Sequence, residues 1–287
     1  MSFVIDDVLV RQDPLVAPVP VVFDSPHSGT IYPADFAFTC PIGVLRLAED
    51  THVETLFARA PAHGITFLQA LFPRSYIDVN RAPDDIDAAH VDGDFPMPLR
   101  PTEKSALGMG LVRTHCRPGV PLYPRRLTAA QVQARIERCW LPYHAELALA
   151  LDRMHARFGQ VWHVNCHSMP TLGPGGDGRP AVDFVLGDRD GTTCEPGFTR
   201  YVAEVLSDLG YKVRLNEPYK GVELVRRYSD PARGRHSLQL EIDRSLYMHE
   251  ETLQPHPGFE VLLQDLERLM GAIAAYAADR VLRRAAE

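Results

Sequence analysis

The chain has 287 residues, 45% hydrophobic and 23% charged, which is typical of a soluble globular protein. A net charge of −7 argues against a nucleic-acid-binding surface, and no apolar run approaches the roughly 20 residues needed to cross a bilayer. Five widely spaced cysteines argue against a disulfide framework or a thiolate zinc cluster. The N-terminus lacks a basic leader followed by an apolar core. We therefore expect one cytoplasmic domain over residues 1–287, with no indication of an oligomer.

The first half of the chain predicts two strands, a helix and a long irregular segment. Residues 18–25 and 65–71 have the short apolar pattern of strands, and residues 43–60 have helical periodicity. Residues 76–79 form a brief apolar run. Residues 82–123 are rich in Pro, Gly and Asp, which predicts long loops, where binding groups are often found.

A long helix is predicted over residues 128–158. Thr128 is a suitable N-cap, Gln131 completes a capping box with it, and Gly159 is a suitable terminator. Pro142 is expected to kink or divide the helix, since proline cannot donate the backbone hydrogen bond.

The second half predicts strands that alternate with helices. Such alternation indicates an α/β protein with a mixed, mostly parallel sheet covered on both faces. The expected strands are 160–166, 181–186, 211–215 and 237–242, and the expected helices are 196–209 and 258–284.

Two histidines follow apolar strands in similar turns. His27 lies in the segment 23–29 and His167 in the segment 164–170, each followed by serine. Ligands in open α/β sheets bind beyond the carboxyl ends of the strands, and two imidazoles meeting there would suit zinc. The alternative is that each histidine only forms hydrogen bonds with a loop.

A third metal ligand is expected to be a carboxylate or another histidine, and Asp50 is the preferred candidate. On the predicted helix it shares a face with the apolar Leu47, Val53 and Phe57, a position that is costly for a carboxylate without a partner. Glu49 points elsewhere and is expected to be solvated. Alternatively, Asp50 is an ordinary acid on the helix surface.

The strand over residues 237–243 alternates strictly. Its leucines and isoleucine face one way, whereas Gln239, Glu241 and Asp243 face the other. A solvated edge strand would explain this pattern. Alternatively, Glu241 projects into a metal-containing cleft and serves as a general base.

Planar donors cluster in residues 72–81. Arg74, Asn80 and Arg81 could bind a carboxylate or a developing oxyanion. The alternative is ion pairing with the aspartates of residues 84–87. In the later segment 216–221, the side chains of Asn216 and Lys220 are further candidate anion contacts.

Cys166 precedes His167, which raises the alternative of a thiol nucleophile. A cysteine in an apolar strand is more typical of a protein core.

Seven segments resemble, in the same order, the N-formylglutamate amidohydrolase family. They extend over about residues 20–248, most of the chain. The segments are Ser25–Gly29, Asp50–Glu54, Arg74–Arg81, Pro142–His144, Asn165–Met169, Asn216–Gly221 and Gln239–Ile242.

The resemblance implies a fold like that of the zinc carboxypeptidases, with one Zn²⁺ per chain. Carboxypeptidases place an acidic ligand three residues after the first histidine, where this chain has Thr30, so the acid must come from the following helix. The implied roles are His27, Asp50 and His167 as metal ligands, Glu241 as general base, Asn80 and Arg81 as a carboxylate anchor, and Arg74 as the group that polarises the scissile carbonyl.

The implied reaction is hydrolysis of N-formyl-L-glutamate to formate and glutamate, and the family name suggests a role in histidine degradation. The expected partner is therefore a small anionic N-acyl amino acid. Alternatives are a metal-dependent amidase or carboxypeptidase acting on other N-acyl amino acids or short peptides, a non-catalytic metal-dependent binding protein for acidic amino acids, and a cysteine amidase.

Overall fold

A computed structural model describes residues 2–117, 119–173 and 180–285. Within these ranges, no helix combines the length and apolarity needed to span a membrane. The strands are β1 (Ser2–Ile5), β2 (Leu9–Gln12), β3 (Val21–Ser25), β4 (Thr66–Ala70), β5 (Val91–Asp92), β6 (His115–Arg117), β7 (Val120–Pro121), β8 (Leu127–Thr128), β9 (Val161–Met169), β10 (Phe184–Gly187), β11 (Val213–Leu215), β12 (Arg235–Asp243), β13 (Met248–His249) and β14 (Gln254–Pro255). The α-helices are α1 (Ile42–Arg46), α2 (Val53–Leu56), α3 (Glu103–Ala106), α4 (Ala129–Arg135), α5 (Leu141–Phe158), α6 (Pro196–Asp208), α7 (Glu223–Tyr228) and α8 (Gly258–Ala285).

An eight-stranded mixed sheet forms the centre of the molecule, in the order β1-β2-β4-β3-β9-β12-β10-β11. The adjacent strands β4, β3, β9 and β12 are parallel to one another, and β10 is parallel to β11. The remaining three pairings are antiparallel. The predicted mixed, mostly parallel sheet is therefore confirmed, and β1 and β2, which the sequence did not predict, extend one end of it.

Helices cover both faces of the sheet. One apolar core lies between the sheet and helices α2, α6 and α8. A second core lies on the opposite face, beneath α4 and α5. Neighbouring residues of β3 show the alternation, because Phe23 belongs to the first core and Val22 to the second.

Strand β12 lies inside the sheet, between β9 and β10. Leu238, Leu240 and Ile242 are buried in the first core, so Gln239 and Glu241 face the opposite side. Glu241 is itself buried. The alternation is confirmed, and the interpretation of this segment as a solvated edge strand is wrong.

The long helix predicted over residues 128–158 is present with an interruption. Thr128 and Gln131 form the expected capping box, and Gly159 ends the helix in the left-handed conformation. A π-helical turn at Ile136–Trp140 separates α4 from α5. Pro142 lies in the first turn of α5, directly after this π-helical turn, so the helix is divided close to the predicted position.

The single helix predicted over residues 43–60 is wrong. The chain instead forms α1 and α2, and a 3-10 helix follows at Ala60–His63. Asp50 lies in the break between α1 and α2, and its backbone N–H donates to the carbonyl oxygen of His27 at 3.0 Å.

Tertiary contacts explain the break. Arg244 donates to the backbone carbonyls of Leu47 and Glu49, at 3.0 and 2.7 Å, and thereby occupies groups that a continuous helix would use internally. His52 then adopts a left-handed conformation with φ 71°, which a helix cannot contain. Leu47, expected on an apolar face, is 45% exposed.

Candidate metal centre and active-site cavity

Three parallel strands bring the predicted site residues to one edge of the sheet. β3 ends two residues before His27, His167 lies near the end of β9, and Glu241 lies near the end of β12. Glu241 is paired in register with His167 on the neighbouring strand. Because residues in register share a face of the sheet, the two side chains lie on the same side.

The turn that carries His27 packs closely against the chain. A Cβ on Gly29 would collide with the carbonyl oxygen of Phe72, so only glycine allows this approach. Phe72 begins the segment that continues to Asp78, and the close approach thereby brings Asp78 to the imidazole of His27.

His27, Asp50 and His167 form a buried cluster that could hold a metal ion. One donor atom from each residue lies within 4.8 Å of the other two. Asp50 Oδ2 lies 3.3 Å from His27 Nδ1 and 2.9 Å from His167 Nδ1. Burial would raise the pKa of Asp50, but its contacts with His167, His27 and Arg74 hold that pKa well below its ordinary value.

Asp50, and not Glu49, lies beside the two histidines. The expectation that Glu49 is solvated is wrong, because this side chain is fully buried. It accepts hydrogen bonds from Tyr32 and from Arg46, which direct its carboxylate away from the histidines. The two neighbouring acids therefore differ in partners and not in burial.

Asp78 orients the first histidine. Its Oδ1 lies 2.7 Å from His27 Nε2, and its Oδ2 accepts a hydrogen bond from Arg74 at 2.9 Å. Burial opposes ionisation of Asp78, but His27 and Arg74 hold its pKa well below the ordinary value. An ionised carboxylate only accepts, so His27 Nε2 is the donor to Asp78, and Nδ1, the ring nitrogen that faces Asp50, is the atom that could bind a metal. His27 Nδ1 is buried and has no hydrogen-bond partner among the described residues.

Asn165 orients the second histidine. Its Nδ2 donates to Asp24 Oδ1 at 2.8 Å, and its Oδ1 lies 2.7 Å from His167 Nε2. Because Asp24 can only accept, the amide oxygen of Asn165 must face His167, and Nε2 must donate to it. His167 Nδ1 lies 2.9 Å from Asp50 Oδ2 and is the ring nitrogen that could bind a metal. Asn80 Nδ2, 3.2 Å from the same Nε2, cannot donate to a protonated nitrogen and stays available to the cavity.

Asp24 belongs to a network beneath the metal ligands. His163 Nε2 and the Tyr143 hydroxyl contact its two oxygens at 2.9 and 2.7 Å, and Ser237 Oγ lies 2.6 Å from His163 Nδ1. Burial would raise the pKa of Asp24, but His163, Asn165 and Tyr143 lower it. Although serine, histidine and aspartate contact each other in order, all three are buried, so this network supports the site and does not contact substrate.

Replacement of Asn165 by alanine is expected to weaken metal binding about 10- to 100-fold, the usual effect of losing a partner that orients a ligand. His167 would lose the acceptor that keeps its Nε2 protonated. Competition with a chromogenic chelator measures this affinity. Asn216→Ala, which removes an asparagine outside the cavity, is the matched control. Equal affinities in the two variants would contradict the role given to Asn165.

Glu241 faces the cluster from the neighbouring strand. Gln239 Nε2 donates to its Oε1 at 2.8 Å. Burial raises the pKa of Glu241 to about 7, and Asp50 adds to the rise against the opposing effect of His167, Arg74 and Arg244. A carboxyl group with this pKa can both accept and donate a proton near neutral pH.

A cavity of about 650 Å³ opens in front of the cluster. Glu241 is its one acidic lining residue in the described part of the chain, whereas five basic residues line it. The cavity therefore suits an anionic ligand. The basic residues are Arg74, Arg81, Lys104, Arg113 and Arg244.

The predicted donors Arg74, Asn80 and Arg81 all line this cavity. Arg81 also pairs with Asp85 at 3.6 Å, so ion pairing, the alternative interpretation, accounts for part of its environment. Asn80 Oδ1 accepts from the backbone of Leu224 at 2.9 Å, which fixes the amide and leaves its NH₂ group to the cavity.

Asn216 and Lys220, the other predicted anion contacts, are not among the described residues that line the cavity. Asn216 exchanges hydrogen bonds with the segment that begins at Asp188. Lys220 is 60% exposed and pairs with Asp190 at 2.8 Å. The irregular backbone directs neighbouring side chains differently, and Tyr219 is the residue of this segment that lines the cavity.

Arg244 is a site residue that the sequence did not identify. Its Nε donates to Ser168 Oγ at 3.0 Å, and its Nη2 donates to Asp50 Oδ1 at 3.1 Å. Arg244 therefore holds Asp50 in two ways. It binds the Asp50 carboxylate directly, and it binds the backbone carbonyls of Leu47 and Glu49 just before Asp50. The available signal was its position directly after the strand that carries Glu241.

Cys166 is not placed to act as a nucleophile. Its side chain is buried in the first core, on the face opposite to His167. Burial, followed by the nearby charge of Asp24, raises the thiol pKa well above its ordinary value. The interpretation of Cys166 as a thiol nucleophile is therefore wrong.

A carboxylate that faces three convergent potential metal ligands in a cationic cavity is an arrangement typical of hydrolases. The N-formylglutamate amidohydrolase family model matches residues 19–248, and the chain belongs to this family and is a hydrolase that acts on an amide bond. It is 31% identical over 276 residues to an N-formylglutamate deformylase of Pseudomonas putida, covering 92% of this chain and 96% of that protein. A second N-formylglutamate deformylase, from Pseudomonas aeruginosa, is 31% identical over 238 residues, covering 81% and 84%.

A solved structure of an N-formylglutamate amidohydrolase from Ralstonia eutropha JMP134 has the same fold. It superposes with a TM-score of 0.91 at 47% identity and covers 95% of this chain and 99% of its own. The resemblance inferred from the seven sequence segments is therefore confirmed.

Proposed function

We propose that the protein is a zinc-dependent hydrolase that converts N-formyl-L-glutamate to formate and L-glutamate. The observation that carries the proposal is the buried His27, Asp50 and His167 cluster facing Glu241 in a cavity lined by five basic residues. The names of the relatives support N-formylglutamate as the substrate.

The donor set fits zinc. Two neutral imidazole nitrogens and one carboxylate oxygen are a usual catalytic zinc set, which leaves a position open to solvent or substrate. Ligand atoms about 2.0–2.1 Å from a tetrahedral zinc lie roughly 3.3 Å apart. The separations of 3.3 and 2.9 Å from Asp50 Oδ2 are close to this value. His27 Nδ1 is buried and has no hydrogen-bond partner among the described residues, so it is the donor atom that this histidine would offer to the cation.

The chain's own groups would act in a defined order. A Zn²⁺ held by His27, Asp50 and His167 would supply a Lewis acid and make a nearby water molecule easier to deprotonate. Glu241 accepts a proton from the attacking water as the new C–O bond forms at the formyl carbon. Arg74 donates to the oxyanion that develops there. Glu241 then delivers the proton to the amide nitrogen as the C–N bond breaks, which releases formate and glutamate.

Recognition would rest on the basic lining. Asn80 and Arg81 both line the cavity and offer planar donors to a carboxylate of the substrate. N-formylglutamate carries two carboxylates, and the cavity is lined by five basic residues but only one described acidic residue, so its excess positive charge suits a dianion. Other N-acyl amino acids would share the reaction but leave part of this charge unused.

Removal of the metal is expected to abolish formate release from N-formylglutamate, and one equivalent of Zn²⁺ per chain should restore it. Metal content and formate are measured on the same sample before dialysis against a chelator, after dialysis, and after zinc addition. Full turnover by metal-free protein would refute the zinc requirement. Saturable binding of glutamate without any formate release would favour a binding protein, whereas faster hydrolysis of N-acetylglutamate or a dipeptide would favour a different amidase.

A further inference from the structure

Arg113 is the cavity arginine without an acidic partner. It lies between α3 and β6, in the loop-rich part of the chain, and is partly buried. Among the described residues, no carboxylate lies within ion-pairing distance of its guanidinium, and its side chain donates no hydrogen bond. It lines the same cavity as His27 and Glu241.

The other cavity arginines are neutralised by neighbours. Arg74 pairs with Asp78, Arg244 with Asp50, and Arg81 with Asp85. Lys104 lies at the exposed rim, where water solvates its charge. Arg113 alone combines partial burial with a charge that no described carboxylate balances.

An unbalanced guanidinium in this position is unfavourable in the absence of a ligand. Burial lowers the pKa of Arg113 to about 10, and the charges of Arg74 and Arg81 add to this effect against the weaker attraction of Asp78. A cation that is partly desolvated beside two others gains most when an anion enters the cavity. A ligand carboxylate that enters the cavity would therefore be stabilised by the positive charge of Arg113.

We propose that Arg113 binds the side-chain carboxylate of the substrate and thereby selects N-acyl derivatives of dicarboxylic amino acids. The inference rests on the proposed function, in which Asn80 and Arg81 hold the other carboxylate. The planar guanidinium can donate two parallel hydrogen bonds to a carboxylate, whereas the neutral amide of a glutamine side chain offers one acceptor oxygen and no charge.

Arg113→Met is expected to lower kcat/KM for N-formylglutamate roughly 10- to 150-fold, the range for lost hydrogen bonds to a charged group. Hydrolysis of N-formylglutamine should change little, because its side chain carries no charge for Arg113 to bind. The measured quantity is the ratio of the two kcat/KM values. Wild-type protein should favour the glutamate derivative, and the variant should lose most of that preference.

Matched variants separate charge from geometry and folding. Arg100→Met removes an arginine from the same loop-rich part of the chain, but Arg100 is 82% exposed and lies outside the cavity, so the ratio should stay at the wild-type value. Arg113→Lys keeps the charge without the planar fork and should give an intermediate ratio. A misfolded variant would lose activity toward both substrates together.

Binding of glutarate compared with butyrate, measured by calorimetry, gives a readout that does not depend on turnover of a formyl substrate. Arg113→Met should weaken glutarate binding selectively, and this result would support the inference even if the wild-type protein released no formate. An unchanged substrate ratio or unchanged glutarate affinity in Arg113→Met would overturn it. Failure of wild-type protein to release formate would count against the proposed function alone.

Discussion

Replacement of Glu241 by glutamine is expected to lower kcat for formate release about 10²- to 10⁴-fold, the usual contribution of a general acid–base residue. Glutamine has the same shape but can neither accept the proton of the attacking water nor deliver one to the leaving nitrogen. The residue does not belong to the His27, Asp50 and His167 cluster, so metal content should stay near the wild-type value. Rapid-quench measurement of formate together with metal analysis of the same preparation tests both statements.

Asp243→Asn is the matched control for this variant. It makes the same carboxylate-to-amide change two residues further along β12, where Asp243 accepts hydrogen bonds from Thr171 and Ser245 and does not line the cavity. Its turnover should stay close to that of the wild type. A Glu241→Gln variant with comparable turnover would remove Glu241 from the mechanism.

The sequence was sufficient for those features that depend on local periodicity. Alternation along β12 placed Glu241 opposite the apolar core, and the capping box at Thr128 placed the start of α4. Both patterns are encoded within a few residues, so tertiary structure did not change them. The position of β12 inside the sheet depended on pairing with β9 and β10, which no local pattern contains.

The break between α1 and α2 shows why local patterns failed elsewhere. Helical periodicity predicted a continuous helix, but Arg244, nearly 200 residues away in sequence, takes the carbonyl groups that the helix would need. Asp50 therefore lies in a turn, and the apolar helix face to which the sequence assigned it does not exist. The preference for Asp50 over Glu49 came from its position on the predicted helix face, whereas the structure places Asp50 beside both histidines because it lies in this turn.

The supporting residues of the site were also beyond the reach of sequence alone. Asp78 orients His27, and Asp24 holds the asparagine that orients His167. Arg113 lines the same cavity. In its own segment of the sequence, each of these three charged residues looks ordinary. Only the fold makes Asp78 a hydrogen-bond acceptor for an imidazole 51 residues away in sequence. Burial and partners, and not residue type, distinguish these residues from solvated charges.

Asp50→Asn is expected to weaken zinc binding by more than the roughly 10- to 100-fold that loss of an outer partner costs, and to abolish formate release at limiting zinc. The amide removes the negative charge that lies within 3.3 Å of both imidazole Nδ1 atoms. It also leaves Arg244 and Arg74 without that counter-charge, so the free energy of unfolding should fall as well. Chelator competition measures the affinity, and denaturant unfolding of the metal-free protein measures the stability.

Glu49→Gln separates the ligand role of Asp50 from the general effect of changing a buried acid. Glu49 is the adjacent residue and is equally buried, but its carboxylate binds Tyr32 and Arg46. Its replacement should reduce stability through these contacts and leave zinc affinity near the wild-type value. Loss of zinc affinity in Glu49→Gln but not in Asp50→Asn would assign the acidic ligand to Glu49. Wild-type zinc affinity in both variants would mean that neither acid binds the metal, because a bound cation must respond to removal of a charge that contacts it.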